Sequence, residues 1–385
     1  MYPAQEGDAF LVSLESDKGN KNIIIDMGLA DTYKSEMKPD LVKLKSKGQK
    51  IDLLIITHID QDHIQGAIEF IKENGTEQSI IEVGEVWHNS FRHLQFDKKA
   101  NLPSAEKIIL DKMIAQNRPV TTKGREKISA KQGSSLAALL LDYKYNWNES
   151  SQSNAICIDQ KTIHDFNHFK IHLLSPSKDK LNKLATFWLK ELRKKKYKFS
   201  ITDDNIFDDA FEFFMMSNSN SNQYRKNISS FGKLDIDILA KVDATQSEID
   251  SSPTNGSTIA FILEFEGKNI LFLGDSHEDI IIQSLKNIYQ DKECYFEAIK
   301  IPHHGSNNNF STELVNLINS NKFFISTNAA KHNHPNIEVI SKIMVKENHK
   351  TLYFNYNHHV ADALNNHQLN EKYNFDVSFS NKVEV

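Results

Sequence analysis

Short apolar runs alternate with helix-compatible stretches over the first ninety residues. Residues 8–14 (DAFLVSL) and 22–28 (NIIIDMG) are β-rich, and the polar stretch SDKGN between them is typical of a hairpin turn. The run IDLLIITH (51–58) is continuously apolar, as expected for a strand that is covered on both faces. A helix pattern at 64–74 and a strand pattern at 80–88 follow. This β-β-α-β-α-β order predicts an α/β protein with layered sheets.

The middle of the chain has a different pattern. Residues 104–117, 134–146 and 178–198 are helix-compatible, and 169–177 (FKIHLLSPS) reads as a strand. The Ser/Asn-rich stretch 203–230 predicts an exposed loop. After residue 250 the strand rhythm resumes. We therefore expect a single domain over 1–385, with insertions at about 91–168 and 178–250.

Composition narrows the class of protein. The chain has 385 residues, of which 39% are apolar and 25% charged, and its formal net charge is −5. That is enough apolar material for one large core or two modest ones. No global basic field favours a polyanion partner, although a local patch or bound metal ions would suffice for nucleic acid.

Cellular location follows from three absences in the sequence. The only cysteines, Cys157 and Cys294, form no C-x-x-C pair, which is typical of reduced residues in a cytosolic protein. No apolar run approaches the roughly 18 residues of a membrane helix. Glu6 and Asp8 stand where a signal peptide would be basic and then apolar. We expect a cytoplasmic protein without a membrane segment.

The stretch ITHIDQDH (56–63) places four metal-ligand side chains directly after an apolar run. In α/β folds, sites collect beyond the carboxyl ends of strands. His58 and Asp60 are two positions apart and point the same way from an extended segment, whereas Asp62 and His63 stand where a helix begins. This geometry supplies two ligands to each of two cations. The alternative is that Asp62 only caps the helix and His58 is a buried, hydrogen-bonded residue.

Three further strand ends carry the same residue types. Asp275 follows NILFLG, His303 and His304 follow IKIP, and His332 and His334 follow FFISTN closely. A turn aspartate or an exposed histidine would explain any one of these alone. All four strand ends together indicate a metal site, and imidazole with carboxylate suits Zn²⁺, Mn²⁺ or Fe²⁺.

These motifs in this order resemble those of the metallo-β-lactamase-fold hydrolases. The order is H-x-D-x-D-H, G-D, P-H-H-G-S and N-x-x-x-x-x-H-P, and the form is that of the ComEC-like group, named for the hydrolase domain of a bacterial DNA-uptake channel protein. The resemblance extends to EGDAFLVSL, IIIDMG, LLSPS and the residues before Asp275. It skips most of 90–168 and 178–250, and the channel's membrane segments are absent.

The resemblance implies an αββα sandwich of two mixed sheets flanked by helices, with two divalent ions, Zn or Mn, along one edge. His58 and Asp60 would hold the first ion, and Asp62 and His63 the second. Asp275 would bridge the ions. The shells would be completed by His334 and by one of His303 and His304, and Asp26 would orient a ligand from behind.

The chain departs from the wider superfamily at one ligand. Many members carry a histidine in a P-G-H-T turn, whereas LLSPS and PTNGST here have none. Either the ComEC-like site lacks this ligand, or one of His303 and His304 takes its role. His88 is a third candidate for it.

The expected reaction is phosphodiester hydrolysis, with DNA or RNA as substrate and a metal-bridged hydroxide as nucleophile. Asp62 and Asp275 would be the catalytic carboxylates, and His332 or the other histidine of the H-H-G-S motif would protonate the leaving oxygen. Ser306 and Asn307 would donate hydrogen bonds to a phosphate oxygen, or only form a turn. The basic stretch LRKKKYK (192–198), near Trp188, would contact a nucleic-acid strand.

Two alternatives stay open. In the first, the same metals hydrolyse a small phosphodiester, a cyclic nucleotide or a thioester. In the second, the chain is the effector of a defence or toxin system and is controlled by a protein partner. Hydrolysis of β-lactams is not expected, because Asp60 replaces the histidine that is usual in those enzymes.

Overall fold

The apolar runs of the sequence form the strands of two large sheets, each in its own unit of the chain. The computed structural model describes residues 1–17, 19–94, 99, 101–117, 135–194, 199–219, 249–290, 292–330 and 334–385. The N-terminal unit comprises Leu11–Ile156 and Ser177–Asn222, and the C-terminal unit comprises Met1–Phe10, Cys157–Pro176 and Gln223–Val385. The expectation of one domain with two insertions stays a prediction.

The N-terminal unit contains a four-stranded sheet of order β1-β2-β3-β4. Its strands are β1 (Ala9–Leu14, which starts within the C-terminal unit), β2 (Lys21–Met27), β3 (Ile51–Ile55) and β4 (Val83–Trp87). Its helices are α1 (Lys38–Ser46), α2 (Gln61–Asn74), α3 (Ser104–Asn117), α4 (Leu136–Asp142), α5 (Lys178–Lys194) and α6 (Ile206–Ser219), with short helical turns at Thr32–Met37, Phe91–His93 and Glu149–Ser151. Strands β2, β3 and β4 are parallel, so their carboxyl ends meet at one edge.

Helix α2 approaches strand β2 at Gly66. The amide of Gly66 donates a hydrogen bond to the carbonyl oxygen of Gly28 at 2.8 Å. A Cβ atom at Gly66 would lie 2.0 Å from the carbonyl oxygen of Met27, a distance that no side chain tolerates. The close approach of α2 to the end of β2 therefore requires glycine at this position.

The expected exposed loop at 203–230 is wrong where the structure describes it. Residues Ile206–Ser219 form helix α6, and Phe207, Phe211 and Phe213 are buried. The ring of Phe211 packs edge-on against Trp188 at 5.7 Å, and that of Phe207 stacks on Phe91 at 4.9 Å. The Ser/Asn content of the stretch obscured the aromatic residues that bury this helix.

The C-terminal unit contains an eight-stranded mixed sheet of order β14-β13-β12-β10-β8-β7-β6-β5. Its strands are β5 (Ile163–Asp165), β6 (Lys170–Ser175), β7 (Ala260–Phe265), β8 (Lys268–Phe272), β10 (Ala298–Lys300), β12 (Lys322–Ile325), β13 (Lys350–Phe354) and β14 (Phe375–Ser378), and β9 (Cys294–Tyr295) pairs separately with β11 (Ile318–Asn319). Strands β5 to β8 are antiparallel, and β8, β10, β12, β13 and β14 are parallel.

Helices and short turns complete the C-terminal unit. The helices are α7 (Pro253–Gly256), α8 (Glu278–Tyr289), α9 (Thr312–Leu317), α10 (Ile337–Met344), α11 (His359–Leu364) and α12 (His367–Tyr373), with turns at Pro302–Gly305 and Asn307–Asn309. The predicted α/β class is confirmed, since mixed sheets flanked by helices form both units, in agreement with a metallo-β-lactamase fold. Among the described residues, no helix combines the length and the apolar character of a membrane span.

Substitution of Gly66 by alanine is predicted to destabilise the protein by about 1–3 kcal/mol, because the new methyl group overpacks against the backbone of Met27. Urea denaturation followed by circular dichroism would measure this loss. Lys72→Ala, on the same helix at a partly exposed position, is the control and should change stability little. Equal stability of Gly66→Ala and wild type would contradict the close contact.

His358 is predicted to make the protein less stable in mild acid. Burial lowers the pKa of His358 to about 4, helped by neighbouring His359 and opposed by Asp362. The unprotonated Nδ1 of His358 accepts from the amide of Ala361 at 3.4 Å and caps helix α11. Because the folded pKa is below the usual value of about 6.5, this stabilisation is present above pH 6.5 and is lost as the pH falls towards 4.

The variant His358→Asn keeps a capping oxygen but cannot titrate. Its free energy of unfolding should therefore depend less steeply on pH between 6.5 and 4 than that of wild type. Denaturation midpoints measured across this range would check the difference. Parallel pH profiles for the two proteins would mean that His358 does not titrate there.

Candidate metal centre

The carboxylate of Asp26 organises the donor residues of the N-terminal unit. Asp26 lies in strand β2 near its carboxyl end and is fully buried. Its Oδ1 accepts from the amide of Thr57 at 2.7 Å, and its Oδ2 accepts from the Thr57 hydroxyl at 2.7 Å and from Nδ1 of His63 at 2.8 Å. One side chain thus holds the end of β2, the turn after β3 and the first turn of α2.

These hydrogen bonds fix the tautomers of His58 and His63. Because Nδ1 of His63 donates to Asp26, its neutral ring carries the lone pair on Nε2. The Thr57 hydroxyl donates to Asp26 and can therefore accept from Nδ1 of His58 at 3.1 Å, which also puts the lone pair of His58 on Nε2. The two rings lie 4.1 Å apart. A carboxylate behind an imidazole is the usual arrangement of a metal-binding histidine.

The two aspartates of the same motif lie at the start of α2. Asp60 is the residue before the helix, and its Oδ2 is 3.8 Å from Nε2 of His58. Asp62 is in the first turn, where a carboxylate is also favoured by the helix dipole. One oxygen of Asp62 and one nitrogen of His63 lie within 4.8 Å of each other. The structure therefore brings together His58, Asp60, Asp62 and His63.

In the C-terminal unit, Asp8, Asp275 and His304 form a second, buried cluster of donors. One donor atom from each residue lies within 4.8 Å of the other two. Nε2 of His304 is 3.5 Å from Oδ2 of Asp275. Nδ1 of His304 donates to the carbonyl oxygen of Ser326 at 2.8 Å, so the neutral ring again presents the lone pair on Nε2.

The field in this cluster attracts cations. Burial alone would lower the pKa of His304, but the carboxylates of Asp275 and Asp8 outweigh it and raise the pKa to about 10. The ring of this buried residue is thereby driven towards a positive charge. The same field would stabilise a divalent cation, and binding of such an ion would displace the proton.

The backbone around His304 is held in an unusual conformation. His303 and His304 both have positive φ, 45° and 54°, which non-glycine residues seldom adopt. The amide of His303 donates to the carbonyl oxygen of Gly274 at 2.8 Å, which ties the H-H-G-S turn to the G-D turn. A Cβ atom at Gly305 would lie 2.5 Å from Cβ of Pro335. Strain of this kind collects at functional sites.

His303 and His334 lie beside this cluster. Nδ1 of His303 pairs with Oδ1 of Asn309 at 2.8 Å and lies 3.5 Å from Asp250, and its Nε2 is 3.8 Å from Oδ2 of Asp275. The ring of His334 is 5.6 Å from that of His303. His332, the expected proton donor, lies outside the described residues.

Ser306 and Asn307 take part in local structure. The hydroxyl of Ser306 accepts from the amide of Asn308 at 3.3 Å and caps the turn that follows. Oδ1 of Asn307 accepts from Nζ of Lys342 at 2.8 Å. These contacts match the turn that the sequence left open as an alternative, and the substrate-binding role stays a prediction.

Two side chains considered from the sequence have other roles. Nε2 of His88 lies 2.9 Å from the buried carboxylate of Glu212, which also accepts from Ser90 and from the amide of Leu136. His88 is thus part of a buried hydrogen-bond network in the N-terminal unit. Trp188 is fully buried and therefore does not stack on a nucleic-acid strand. Of the basic stretch 192–198, residues 195–198 lie outside the described residues.

Sequence reasoning gave no role to Asp8, Asp250 or Lys300. For Asp8 and Lys300 the sequence does contain a feature that could have drawn attention to them. Asp8 stands directly before an apolar strand, and Lys300 interrupts the apolar run FEAIKIP at a strand position. Asp250 stands in a polar stretch, where nothing distinguishes it from a surface residue.

Comparison with known proteins bears on the first third of the chain. Residues 4–130 match the model of the metallo-beta-lactamase superfamily. The match includes Asp8, Asp26 and the H-x-D-x-D-H motif. A search of curated proteins finds no match to this chain. Similarity to this superfamily indicates a metal-dependent hydrolase.

The donor sets of both units fit divalent ions. Each set combines imidazole nitrogen with carboxylate oxygen, which suits Zn²⁺ and Mn²⁺. In the N-terminal unit, the tautomers of His58 and His63 direct the lone pairs to Nε2. In the C-terminal unit, two carboxylates and His304 converge within 4.8 Å.

The variant Asp26→Asn is predicted to bind Zn²⁺ or Mn²⁺ about 10–100-fold more weakly. If the side-chain oxygen of the new asparagine keeps its bond from Thr57, its NH₂ group faces His63 and donates to Nδ1. The ring proton of His63 then moves to Nε2, the atom proposed to bind metal. Isothermal titration calorimetry would measure the affinity for the metal ion, and elemental analysis would measure the amount of metal bound.

Asp52→Asn is the matched control. Asp52 is a carboxylate of strand β3 that accepts hydrogen bonds from Lys21 at 2.9 Å and from the amide of Asn22 at 3.0 Å. Neither of these partners is a histidine of the candidate metal centre. The variant Asp52→Asn should keep the metal affinity of wild type. If Asp26→Asn folds normally and binds metal as wild type does, Asp26 does not set the tautomer.

Proposed function

We propose that this chain is a hydrolase of phosphodiester bonds that depends on divalent metal ions, with DNA or RNA as its first substrate class. The observation that carries the proposal is the buried cluster of Asp8, Asp275 and His304. Its negative field and its hard oxygen donors suit a cation that in turn binds a phosphate oxygen. The motif resemblance to ComEC-like hydrolases supports the choice of a nucleic-acid substrate.

Two divalent ions, when bound, lower the pKa of a water molecule and neutralise charge on a scissile phosphate. The protein's part is to hold its donors rigidly. His58 and His63 are fixed through Thr57 and Asp26, and His304 is fixed through the Ser326 carbonyl oxygen. Asp60, in the place of a histidine, offers a hard anionic oxygen and makes Mn²⁺ more competitive with Zn²⁺.

His303 is the proposed proton donor to the leaving oxygen. Its side chain is 25% exposed, whereas that of His304 is 7% exposed, so a substrate reaches His303 more easily. Pairing of Nδ1 with Asn309 orients the ring, and Nε2, which lies 3.8 Å from Oδ2 of Asp275, is the atom that would transfer the proton. His332 is the second candidate for this role.

Contacts with a nucleic-acid strand are proposed at the end of helix α5. Arg193 and Lys194 are exposed there, and Lys194 also pairs with Glu191 at 2.6 Å. Basic side chains of this kind neutralise backbone phosphates without reading the sequence. Nuclease activity that depends on these contacts would fall as the salt concentration rises.

The variants Asp62→Ala and His63→Ala are predicted to lose metal-dependent phosphodiesterase activity by more than about 100-fold, since each removes a metal ligand rather than a residue behind one. The assay uses single- and double-stranded DNA, RNA, a cyclic nucleotide and a generic phosphodiester, each with Mn²⁺, Zn²⁺ or a chelator. The substrate that is cleaved fastest identifies the class.

His367→Ala is the control, because this histidine is 83% exposed and lies on helix α12. It should retain full activity. Wild-type rates in both Asp62→Ala and His63→Ala would overturn the assignment. Metal-dependent hydrolysis of a thioester, without cleavage of any phosphodiester, would keep the metal site and reject the proposed substrate.

A further inference from the structure

We propose that Lys300 is a built-in cation that holds Asp8 as its counter-ion and leaves Asp275 and His304 to bind the metal ion. Lys300 is then a positioning residue, since it acts through the two carboxylates. The inference rests on the proposed function, because it assigns the parts of the same cluster.

The position of Lys300 is unusual for a lysine. It ends strand β10, which lies between β8 and β12 inside the eight-stranded sheet. Its side chain is 1% exposed. Lysine is almost never buried to this degree unless it is paired. The groups that Lys300 contacts therefore explain its charge.

Three oxygens surround the ammonium group of Lys300. Nζ forms an ion pair with Oδ2 of Asp8 and donates to the carbonyl oxygen of Gly274 at 3.1 Å. Oδ1 of Asp275 lies further away, at 3.9 Å. The ammonium group thus binds Asp8 directly and Asp275 only through the weaker field at longer range. The Gly274 carbonyl also accepts from His303, so Lys300 reaches the same turn that carries Asp275.

Charge explains why the cluster needs this lysine. Asp8 and Asp275 are 2% and 4% exposed, and two carboxylates buried together repel each other strongly. Lys300 offsets the charge of one carboxylate, and His304 partners the other until a metal ion displaces its proton. Lys300 also occupies Oδ2 of Asp8, one of the two oxygens that this carboxylate could offer to a metal ion. Asp275, at the longer distance from Lys300, keeps Oδ2 directed at His304 at 3.5 Å.

The simpler account is that Lys300 only fills space in the sheet. The variant Lys300→Met distinguishes space filling from charge balance, because methionine keeps the volume of the side-chain stem and removes the charge. If Lys300 balances charge, Lys300→Met lowers the thermal midpoint in the presence of a chelator by several degrees. Added Mn²⁺ or Zn²⁺ should also raise the thermal midpoint of Lys300→Met more than that of wild type, since Asp8 becomes available to the ion. A space-filling role predicts the same metal-induced rise in both proteins.

The double variant Lys300→Met/Asp8→Asn removes the pair as a unit. It should recover most of the midpoint that Lys300→Met loses in chelator, because no uncompensated carboxylate remains at residue 8. Lys300→Arg keeps the charge and should respond to metal as wild type does. It also preserves a test if Lys300→Met fails to fold.

Lys342→Met is the matched control. Lys342 is also 1% exposed, and it donates to Asn307 and to the carbonyl oxygen of Phe310. Its loss should lower the midpoint without changing the rise on adding metal. Differential scanning fluorimetry with metal titration, and elemental analysis of the bound metal, give all the values.

The outcomes separate this inference from the proposed function. The inference is overturned if added metal raises the thermal midpoint of Lys300→Met no more than that of wild type, and if the double variant Lys300→Met/Asp8→Asn does not recover the midpoint in chelator. If wild type binds neither Mn²⁺ nor Zn²⁺, the proposed function fails together with the metal half of the inference. In that case the chelator measurements alone decide whether Lys300 and Asp8 are a charge pair.

Discussion

The carboxylate of Asp26 has no exposed surface, so its oxygens must be satisfied inside the protein. An ionised carboxylate without partners in such a place costs several kcal/mol. Thr57 and His63 provide the partners, and in doing so they fix the turn after β3 and the start of α2. The electrostatic demand of one buried group therefore aligns three separate stretches of the N-terminal unit and sets the protonation of both histidines of its motif.

The C-terminal unit meets the same demand with positive charge. Asp8 and Asp275 are buried, and the groups near them are the ammonium of Lys300 and the ring of His304. A carboxylate satisfied by hydrogen bonds, as Asp26 is, behaves as a fixed part of the scaffold. Carboxylates that are neutralised in part by a histidine proton, as Asp8 and Asp275 are, can exchange that proton for a metal ion. This difference suits Asp26 to a supporting role and Asp275 to the binding of a cation, although both aspartates lie at strand ends.

Much of the fold could be predicted from sequence, because buried strands are continuous apolar runs. Helix α3 matches its predicted bounds, and β3 lies within its predicted run. Helix α6 was missed, since composition was weighed above the spacing of its aromatic residues. The residues of the H-x-D-x-D-H motif could be proposed as donors from sequence because they are adjacent in it. Asp8 and Lys300 could not be assigned, because their pairing joins positions that only the folded chain brings together.

Two glycines, one just after the H-x-D-x-D-H motif and one within the H-H-G-S motif, control how closely these segments pack. Gly66 and Gly305 contribute no ligand, and each lies where a Cβ atom would collide with a neighbouring segment. Gly66 lets helix α2 reach the end of strand β2, and Gly305 lets the H-H-G-S turn pack against Pro335. The spacing of donors in both motifs therefore depends on contacts of the backbone. A motif of this type encodes the distance between segments as well as the identity of the ligands, which is why its order along the chain indicates a fold more strongly than it indicates a substrate.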